Sequence, residues 1–296
     1  MSKKDILISV ALMCLWGFNF SAIKLGAEQT DPILLTALRF GFAVFPAILF
    51  VRKPDVHWAY MLSYGLTFGV GIWGCMVWSM QLGVSAGMAG ILLDMSLIFS
   101  LALGFFLLRE HIGRNKLLGA ALALIGLGAA LALEDGSAPL KAVPLTLIAA
   151  FSWSLMSVIV KKSGTRQVFA FSVWGMSFAP FALAALAYAF HGAEVFYALP
   201  MQLNGEVWFS ILFQAYPTTL LGYWIWNRLT LKYPISTMAP FTLLTPVFGL
   251  MGGMIFFQEE LPLLKVLAFA LVLGGLALSQ RPDIAPQNEL AKPVTY

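Results

Sequence analysis

Apolar residues fill ten stretches of about twenty residues each, and short polar links separate these stretches along almost the whole chain. A helix needs about twenty apolar residues to cross the hydrocarbon core of a bilayer. The pattern therefore predicts an all-α membrane protein with ten transmembrane helices. The predicted spans are 6–24, 32–51, 59–82, 86–108, 116–133, 143–160, 168–190, 207–228, 235–257 and 262–280.

Composition supports this interpretation and excludes several classes of protein. Hydrophobic residues make up 60% of the 296 residues and charged residues only 11%, which does not suit a soluble domain. Cys14 and Cys75 fall inside spans and the three histidines lie on different links, so we predict no disulfide, no metal site and no cofactor. No phosphate-binding loop is present, and polar residues do not cluster as an enzyme within the membrane would require.

The basic residues predict the orientation of the chain. If the N-terminus is cytoplasmic, Lys24, Lys141 and Lys265 fall on outer segments and Arg39 falls inside a span, which leaves fourteen of the eighteen Lys and Arg residues on inner segments. Cytoplasmic loops carry the excess of basic residues in membrane proteins. We therefore predict that both termini are cytoplasmic. Residues 282–296 are polar and contain three prolines, which predicts a disordered tail. The net charge of +4 then faces lipid headgroups, and it predicts no nucleic-acid partner.

The second half of the chain repeats features of the first. Trp16 to Lys24 reads WGFNFSAIK, and Trp153 to Lys161 reads WSLMSVIVK. Glu110-His111-Ile112, followed by Lys116, Gly119 and Gly126, corresponds to Glu259-Glu260-Leu261, followed by Lys265, Ala268 and Gly275. We predict repeats at 1–135 and 141–281. Each has five spans, an odd number, so the second is inverted, as in many secondary transporters. Duplication without a shared role, as in some channels, is the alternative.

The chain resembles the EamA family of the drug/metabolite transporter superfamily from about Asp5 to Gln280. The five-plus-five spans, WGFNFSAIK, Leu38-Arg39-Phe40 and the paired Glu segments carry the resemblance. It implies a ten-helix bacterial inner-membrane exporter of amino acids or related small metabolites. Trp16-Gly17-Phe18-Asn19-Phe20, Ala86-Gly87-Met88-Ala89 and Tyr223-Trp224-Ile225-Trp226 are most similar to the O-acetylserine/cysteine exporter branch. The chain departs from that branch at Asp94, where an uncharged amide is expected, and at Ser157, where Asn is expected.

Two charged residues, Arg39 and Asp94, lie well inside predicted spans. Charges within a membrane are costly, so they usually face a partner or a cavity. Both lie about 10–13 Å from the outer surface at a rise of about 1.5 Å per residue, so an ion pair is expected. The pair is either structural or part of the pathway. In the second case Asp94 meets a substrate ammonium group or exchanges a proton, and Arg39 holds a carboxylate.

The other candidate residues are polar or aromatic. Interhelical hydrogen bonds, aromatic belts at the membrane surface and lysines reaching the headgroups are the structural alternatives to a binding role. The predicted substrate-binding set is Trp16, Asn19, Arg39, Gln81, Asp94, Trp153, Ser157, Gln214, Thr218, Tyr223 and Asn227. The candidates for gating or coupling are Asp94, Lys24 and Lys161.

Together these features predict a secondary-active exporter that works by alternating access and is driven by protons or by the gradient of its substrate. A passive channel or facilitator is the first alternative, and an enzyme embedded in the membrane is the second. The expected partners are a small-molecule substrate and the lipid bilayer. The faces rich in Gly and Ala of the fifth and tenth spans are candidates for a homodimer contact.

Overall fold

The computed structural model describes residues 1–84, 90, 92–132, 139, 141–258 and 263–281. All regular secondary structure within these ranges is helical. The predicted tail at 282–296 and the motif residues 86–89 and 259–261 lie outside the described residues.

The helices of the first half are α1 Lys3–Ala27, α2 Pro32–Ile48, α3 (Trp58–Leu66, Thr67–Gly74 and Cys75–Gln81), α4 Ser96–Leu108 and α5 Arg114–Ala132. Those of the second half are α6 Val143–Ser163, α7 (Val168–Met176 and Ala179–His191), α8 (Gly205–Phe213, Gln214–Leu221 and Gly222–Lys232), α9 (Ile235–Met238, Ala239–Leu243 and Leu244–Phe257) and α10 Leu263–Ser279. A connecting helix, Glu194–Gln202, lies between α7 and α8 and buries no residue fully.

Polar residues just before the helices fix several of their starts. The side chains of Ser2, Asp31 and Asn204 accept hydrogen bonds from backbone N–H groups in the first turns of α1, α2 and α8. Such caps satisfy donors that have no partner within the helix. Helices α4 and α9 end alike, because Arg109 and Gln258 follow them in the left-handed conformation, with φ of 54° and 55°.

Five of the described helices are long and apolar enough to cross a membrane. They are α1, α3, α6, α7 and α9; α2, α4 and the part of α10 from Val266 to Ser279 are apolar but shorter. Large apolar side chains such as Leu49, Phe50 and Phe106 are exposed on the outside of the bundle. These observations agree with a helical membrane protein.

Contacts between the halves come in exchanged pairs. Helix α1 packs on α9, and α6 packs on α4; α1 packs on α8, and α6 packs on α3; α2 packs on α8, and α7 packs on α3. If α1–α5 are matched in order with α6–α10, each contact has a counterpart with the halves exchanged. The contacts α2–α7 and α5–α10 are their own counterparts.

Small residues bring α5 and α10 together. A Cβ atom on Gly119 would lie 2.5 Å from the carbonyl oxygen of Gly275, and one on Gly126 would lie 2.6 Å from that of Ala268. Gly119, early in α5, thus meets Gly275, late in α10, and the later Gly126 meets the earlier Ala268. The two helices are therefore antiparallel. The faces of α5 and α10 that carry Gly119, Gly126 and Gly275 are therefore used within one chain.

Helices α3 and α8 each contain a π-helical segment. Thr67–Gly74 begins nine residues after the start of α3, and Gln214–Leu221 begins nine residues after the start of α8. A π-helical turn changes which backbone groups pair, and such turns are frequent at functional sites. The segment in α8 lies beside a large cavity.

Candidate substrate cavity

A cavity of about 710 Å³ lies between the two halves. Its lining reaches from Trp16 and Trp153 near the middle of α1 and α6 to Lys24, Gln81 and Phe257 near the ends of α1, α3 and α9. Trp16 and Ala27 are eleven residues apart on α1, so the cavity extends about 16 Å along the bundle at a rise of about 1.5 Å per residue.

Most of the predicted binding residues meet at this cavity. Trp16, Asn19, Arg39, Gln81, Asp94, Trp153, Thr218 and Tyr223 line it, together with the gating candidate Lys24. Ser157, Gln214 and Asn227 are not among the lining residues, and neither is Lys161. Eight of the eleven residues in the predicted substrate-binding set therefore share one cavity.

Arg39 is 1% exposed and is held by an aromatic ring and an amide. Its Cζ atom lies 3.9 Å from the centre of the Trp73 ring, and its Nη1 donates a hydrogen bond of 3.2 Å to Oε1 of Gln214. Its Nε has no hydrogen-bond partner among the described residues. The guanidinium is thus fixed in place with donors left for a ligand.

Asp94 lies on another wall of the cavity, in the turn just before α4. It is 5% exposed, and its Oδ2 has no hydrogen-bond partner among the described residues. The expected ion pair with Arg39 is not formed, since Arg39 contacts Gln214 and Trp73 instead. Similar depth along two helices does not bring two side chains onto facing sides. Asn19 is another lining residue with an unpartnered oxygen, Oδ1, in the described part of the chain.

An aromatic cluster forms the closed floor of the cavity. The Trp16 ring centre lies 5.4 Å from that of Trp153, 4.9 Å from that of Tyr223 and 5.6 Å from that of Trp226. Such edge-on and tilted contacts stabilise aromatic pairs beyond their buried area. Trp16, Trp153 and Tyr223 therefore form a packed wall at the end of the cavity nearest the middle of α1 and α6.

The π-helical segment of α8 fixes Trp16 in this floor. The N–H of Gly222 bonds to the carbonyls of Pro217 and Thr219, so the carbonyl of Thr218 lacks its usual partner in the helix. The indole Nε1 of Trp16 donates to that carbonyl at 3.0 Å. A Cβ atom on residue 222 would lie 2.7 Å from this Nε1, so the close approach of Trp16 requires glycine there.

Asn227 and Ser157 lie behind the floor. The Nδ2 of Asn227 donates to the hydroxyls of Tyr64 and Ser172, both at 2.9 Å, which ties α8 to α3 and α7. Ser157 is 2% exposed on α6, one turn from Trp153. The contacts of Asn227 are those of a packing residue, which agrees with the structural alternative of interhelical hydrogen bonds.

Several lining residues were missed in the sequence. Trp73, Thr36 and Ser96 line the cavity, and Trp73 stacks on Arg39. Nothing local distinguishes Trp73 from an aromatic residue that packs or faces lipid. Its role depends on Arg39, which is 34 positions away in the sequence.

The opposite end of the bundle is closed by polar contacts. The carboxylate of Glu110 accepts hydrogen bonds from the backbone N–H groups of Ile235 at 2.8 Å and Ser236 at 3.0 Å, which caps the start of α9. The Nζ of Lys161 lies 3.9 Å from Glu110 and donates to the carbonyl of Tyr233 at 2.8 Å. The gating candidate Lys161 therefore lies in this network.

A second group of contacts closes the same end. The Oδ2 of Asp5 accepts from Nζ of Lys232 at 2.6 Å and from the hydroxyl of Tyr233 at 2.5 Å. Lys116 donates to the hydroxyl of Ser236 at 3.1 Å. The turn between α8 and α9 is thus tied to α1, α5 and α6 and to Glu110, which follows α4. We call this set of contacts the α8–α9 latch.

Comparison with known proteins decides the family. The model of the EamA-like transporter family matches residues 3–131 and again residues 140–280. The chain belongs to the EamA-like transporter family. This confirms the resemblance seen in the sequence.

Two bacterial proteins and a solved structure are similar to this chain over nearly its whole length. A "Probable amino-acid metabolite efflux pump" of Salmonella typhimurium is 33% identical, covering 94% of this chain and 95% of that protein. A protein of the same description from Escherichia coli is 31% identical over the same shares. A solved crystal structure matches with a TM-score of 0.76 at 20% identity, covering 95% of this chain and 98% of that one, which shows a shared fold.

Proposed function

We propose that this protein is a secondary-active inner-membrane exporter of amino acids or related small metabolites, similar to cysteine and O-acetylserine. The observation that carries the proposal is one cavity that holds Arg39 and Asp94 without pairing them. Buried polar groups normally have partners, and exceptions need an explanation such as a ligand. The description of the two bacterial relatives as probable amino-acid metabolite efflux pumps supports the substrate class.

The two charges suit the two ends of an amino acid. The Arg39 guanidinium has the planar set of donors that binds a carboxylate through two hydrogen bonds. When the Asp94 carboxyl group is ionised, it accepts hydrogen bonds from the ammonium group of the substrate. When the site is empty, it exchanges a proton. The oxygen of Asn19 adds a neutral acceptor, and Trp16 and Trp153 provide an apolar surface for the side chain of the substrate.

Two inverted repeats, 1–135 and 141–281, provide the alternating access. The double match of the family model, the exchanged helix contacts and the antiparallel α5–α10 pair support this arrangement. Inverted repeats form substrate sites at their interface near the midplane of the membrane. The cavity between the halves, with its floor near the middle of α1 and α6, agrees with such a site.

The orientation follows from the basic loops of the sequence. With both termini cytoplasmic, the cavity opens toward the outside and the α8–α9 latch closes the cytoplasmic end. The structure then represents the outward-open state, from which substrate leaves. In the opposite state the latch opens and the outer mouth closes. Protons or the substrate gradient supply the driving force.

A combined binding and counterflow experiment tests this proposal. The purified protein is heated with each of the common amino acids and with O-acetyl-L-serine, and the compound that raises Tm most is selected, because ligands that bind the folded state stabilise it. Proteoliposomes loaded with that compound should then take up its labelled form against the gradient and with saturation. If no compound raises Tm, or if uptake is linear with concentration, the carrier proposal is wrong.

A further inference from the structure

A buried chain of hydrogen bonds runs behind Arg39. Gln214 is the first residue of the π-helical segment of α8, is 1% exposed and does not line the cavity. Its Oε1 accepts from Nη1 of Arg39 at 3.2 Å, and its Nε2 donates to Oγ of Ser210 at 2.8 Å. The Ser210 hydroxyl in turn donates to the carbonyl oxygen of Ala22 at 2.6 Å. The chain thus joins α2, α8 and α1.

The direction of this chain is fixed by its last member. A backbone carbonyl only accepts, so the Ser210 hydroxyl has to donate its proton to Ala22. The Ser210 oxygen then accepts from the Gln214 amide N–H, and the amide oxygen of Gln214 is left facing Arg39. The orientation of an amide is assigned by such partners. The arrangement therefore presents an acceptor to a group that only donates.

Close packing keeps the chain in place. A Cβ atom on Gly26 would collide with Oγ of Ser210, so the glycine lets α1 approach the hydroxyl. The rings of Trp73 and Phe40 also contact the guanidinium, with their centres 3.9 Å and 4.5 Å from its Cζ. Arg39 is therefore held by ring contacts and by one neutral acceptor, which leaves its charge uncompensated by these neighbours.

The geometry points to Gln214 as a positioning residue that presents the Arg39 guanidinium to the carboxylate of the transported amino acid, with Ser210 fixing the orientation of its amide. This inference rests on the proposed function. A long side chain that is ordered before binding loses less freedom when the ligand arrives. A neutral amide orients the Arg39 guanidinium and leaves its positive charge for the substrate carboxylate. A carboxylate at position 214 would pair with that charge itself.

Four variants test this role: Gln214→Met, which keeps the size of the side chain and removes its polar atoms; Gln214→Glu; Ser210→Ala; and Arg39→Met. Tyr216→Phe is the matched control, because Tyr216 lies in the same π-helical segment with its side chain 39% exposed. The probes are the amino acid selected by thermal shift and its primary carboxamide, which keeps the ammonium group and lacks the carboxylate. Dissociation constants are measured by thermal shift of the purified full-length protein.

We expect Gln214→Met to raise the Kd for the amino acid about tenfold, the scale of one lost hydrogen bond to a charged group, and to leave the Kd for the carboxamide unchanged. Gln214→Glu should raise the Kd for the amino acid by at least the same factor. Ser210→Ala should raise the same Kd about threefold, because the amide is then free to turn. In counterflow, Gln214→Met should raise KM and keep the maximal rate, and Tyr216→Phe should match the wild type.

The outcomes separate the inference from the proposed function. One result would contradict the inference alone: Gln214→Met and Ser210→Ala raise the Kd of the amino acid and of the carboxamide by the same factor, or change neither Kd. Gln214 would then have a structural role only, and the carrier proposal would stand. If Gln214→Met does not fold, Ser210→Ala alone decides between these results. If Arg39→Met leaves the Kd for the amino acid unchanged, or if no amino acid binds the wild type, the proposed binding mode fails and the inference fails with it.

Discussion

The α8–α9 latch and the cavity differ in the partners of the polar side chains described above. At the α8–α9 latch, Glu110, Lys161 and Asp5 all have protein partners on other helices. In the cavity, Asp94 and Asn19 keep oxygens without a hydrogen-bond partner among the described residues. The latch is therefore held by contacts within the protein, whereas on the proposed function the unpartnered oxygens of the cavity are available to a ligand.

The aromatic floor forms one wall of the cavity, so the first way to break the comparison is to displace it. Gly222→Ala places a Cβ atom against Nε1 of Trp16 and should reduce the counterflow rate about a hundredfold, because Trp16 loses its bond to Thr218. Overpacking should also lower the free energy of unfolding by about 1–3 kcal/mol. Gly205→Ala is the control, because a Cβ there meets nothing within 4 Å. Equal rates for the two variants would show that the position of Trp16 is unimportant.

The second prediction concerns the closed end alone. Glu110→Ala removes the acceptor for the N–H groups of Ile235 and Ser236 and should open the latch. The loss of a helix cap costs about 1–2 kcal/mol, which corresponds to about a tenfold shift in an equilibrium. In a protein with Cys14 and Cys75 replaced by Ser, a Ser157→Cys reporter should therefore react about tenfold faster with a charged thiol reagent added from the cytoplasmic side.

Glu194→Gln serves as the control for this experiment, because Glu194 lies exposed on the connecting helix. It should leave the reaction rate of the reporter unchanged. Unchanged labelling in the Glu110→Ala protein would mean that the latch does not control access from that side.

The third prediction sharpens the boundary of the cavity. Asn227→Leu removes two buried hydrogen bonds and should lower the free energy of unfolding by about 2 kcal/mol. Because Asn227 does not line the cavity, the Kd for the selected amino acid should stay within about twofold of wild type. A much larger loss of affinity with unchanged stability would place Asn227 in the binding site after all.

The residues that could be predicted from the sequence to line the cavity are those whose charge conflicts with their apolar surroundings. Arg39 and Asp94 are charged within apolar stretches, and both line the cavity. Their pairing was predicted wrongly, because residue spacing gives the depth of a side chain but not the direction it faces. The family was also evident from the WGFNFSAIK segment and its relation to the second half.

The residues that the sequence misplaced lie where the helix is irregular or the contact is distant. Gln214 and Asn227 were included in the predicted binding set, but neither lines the cavity. Gln214 contacts Arg39 and Ser210, and Asn227, one helical turn beyond Tyr223, bonds to Tyr64 and Ser172 on other helices. Glu110 was visible only as a marker of the repeat, since its partners Ile235 and Ser236 are 125 and 126 positions away. Contacts of this kind depend on the folded arrangement of helices.

Counterflow by the Asp94→Asn protein tests the central claim most directly. The substitution preserves the shape of the side chain and removes the ionisable carboxyl group, whose Oδ2 has no partner among the described residues. We predict that the variant inserts, elutes from size exclusion as the wild type does, and exchanges the selected amino acid at least about a hundredfold more slowly, the scale of a lost contact between buried charges. Exchange at the wild-type rate would contradict the claim that the separated charges of Arg39 and Asp94 bind and move the substrate.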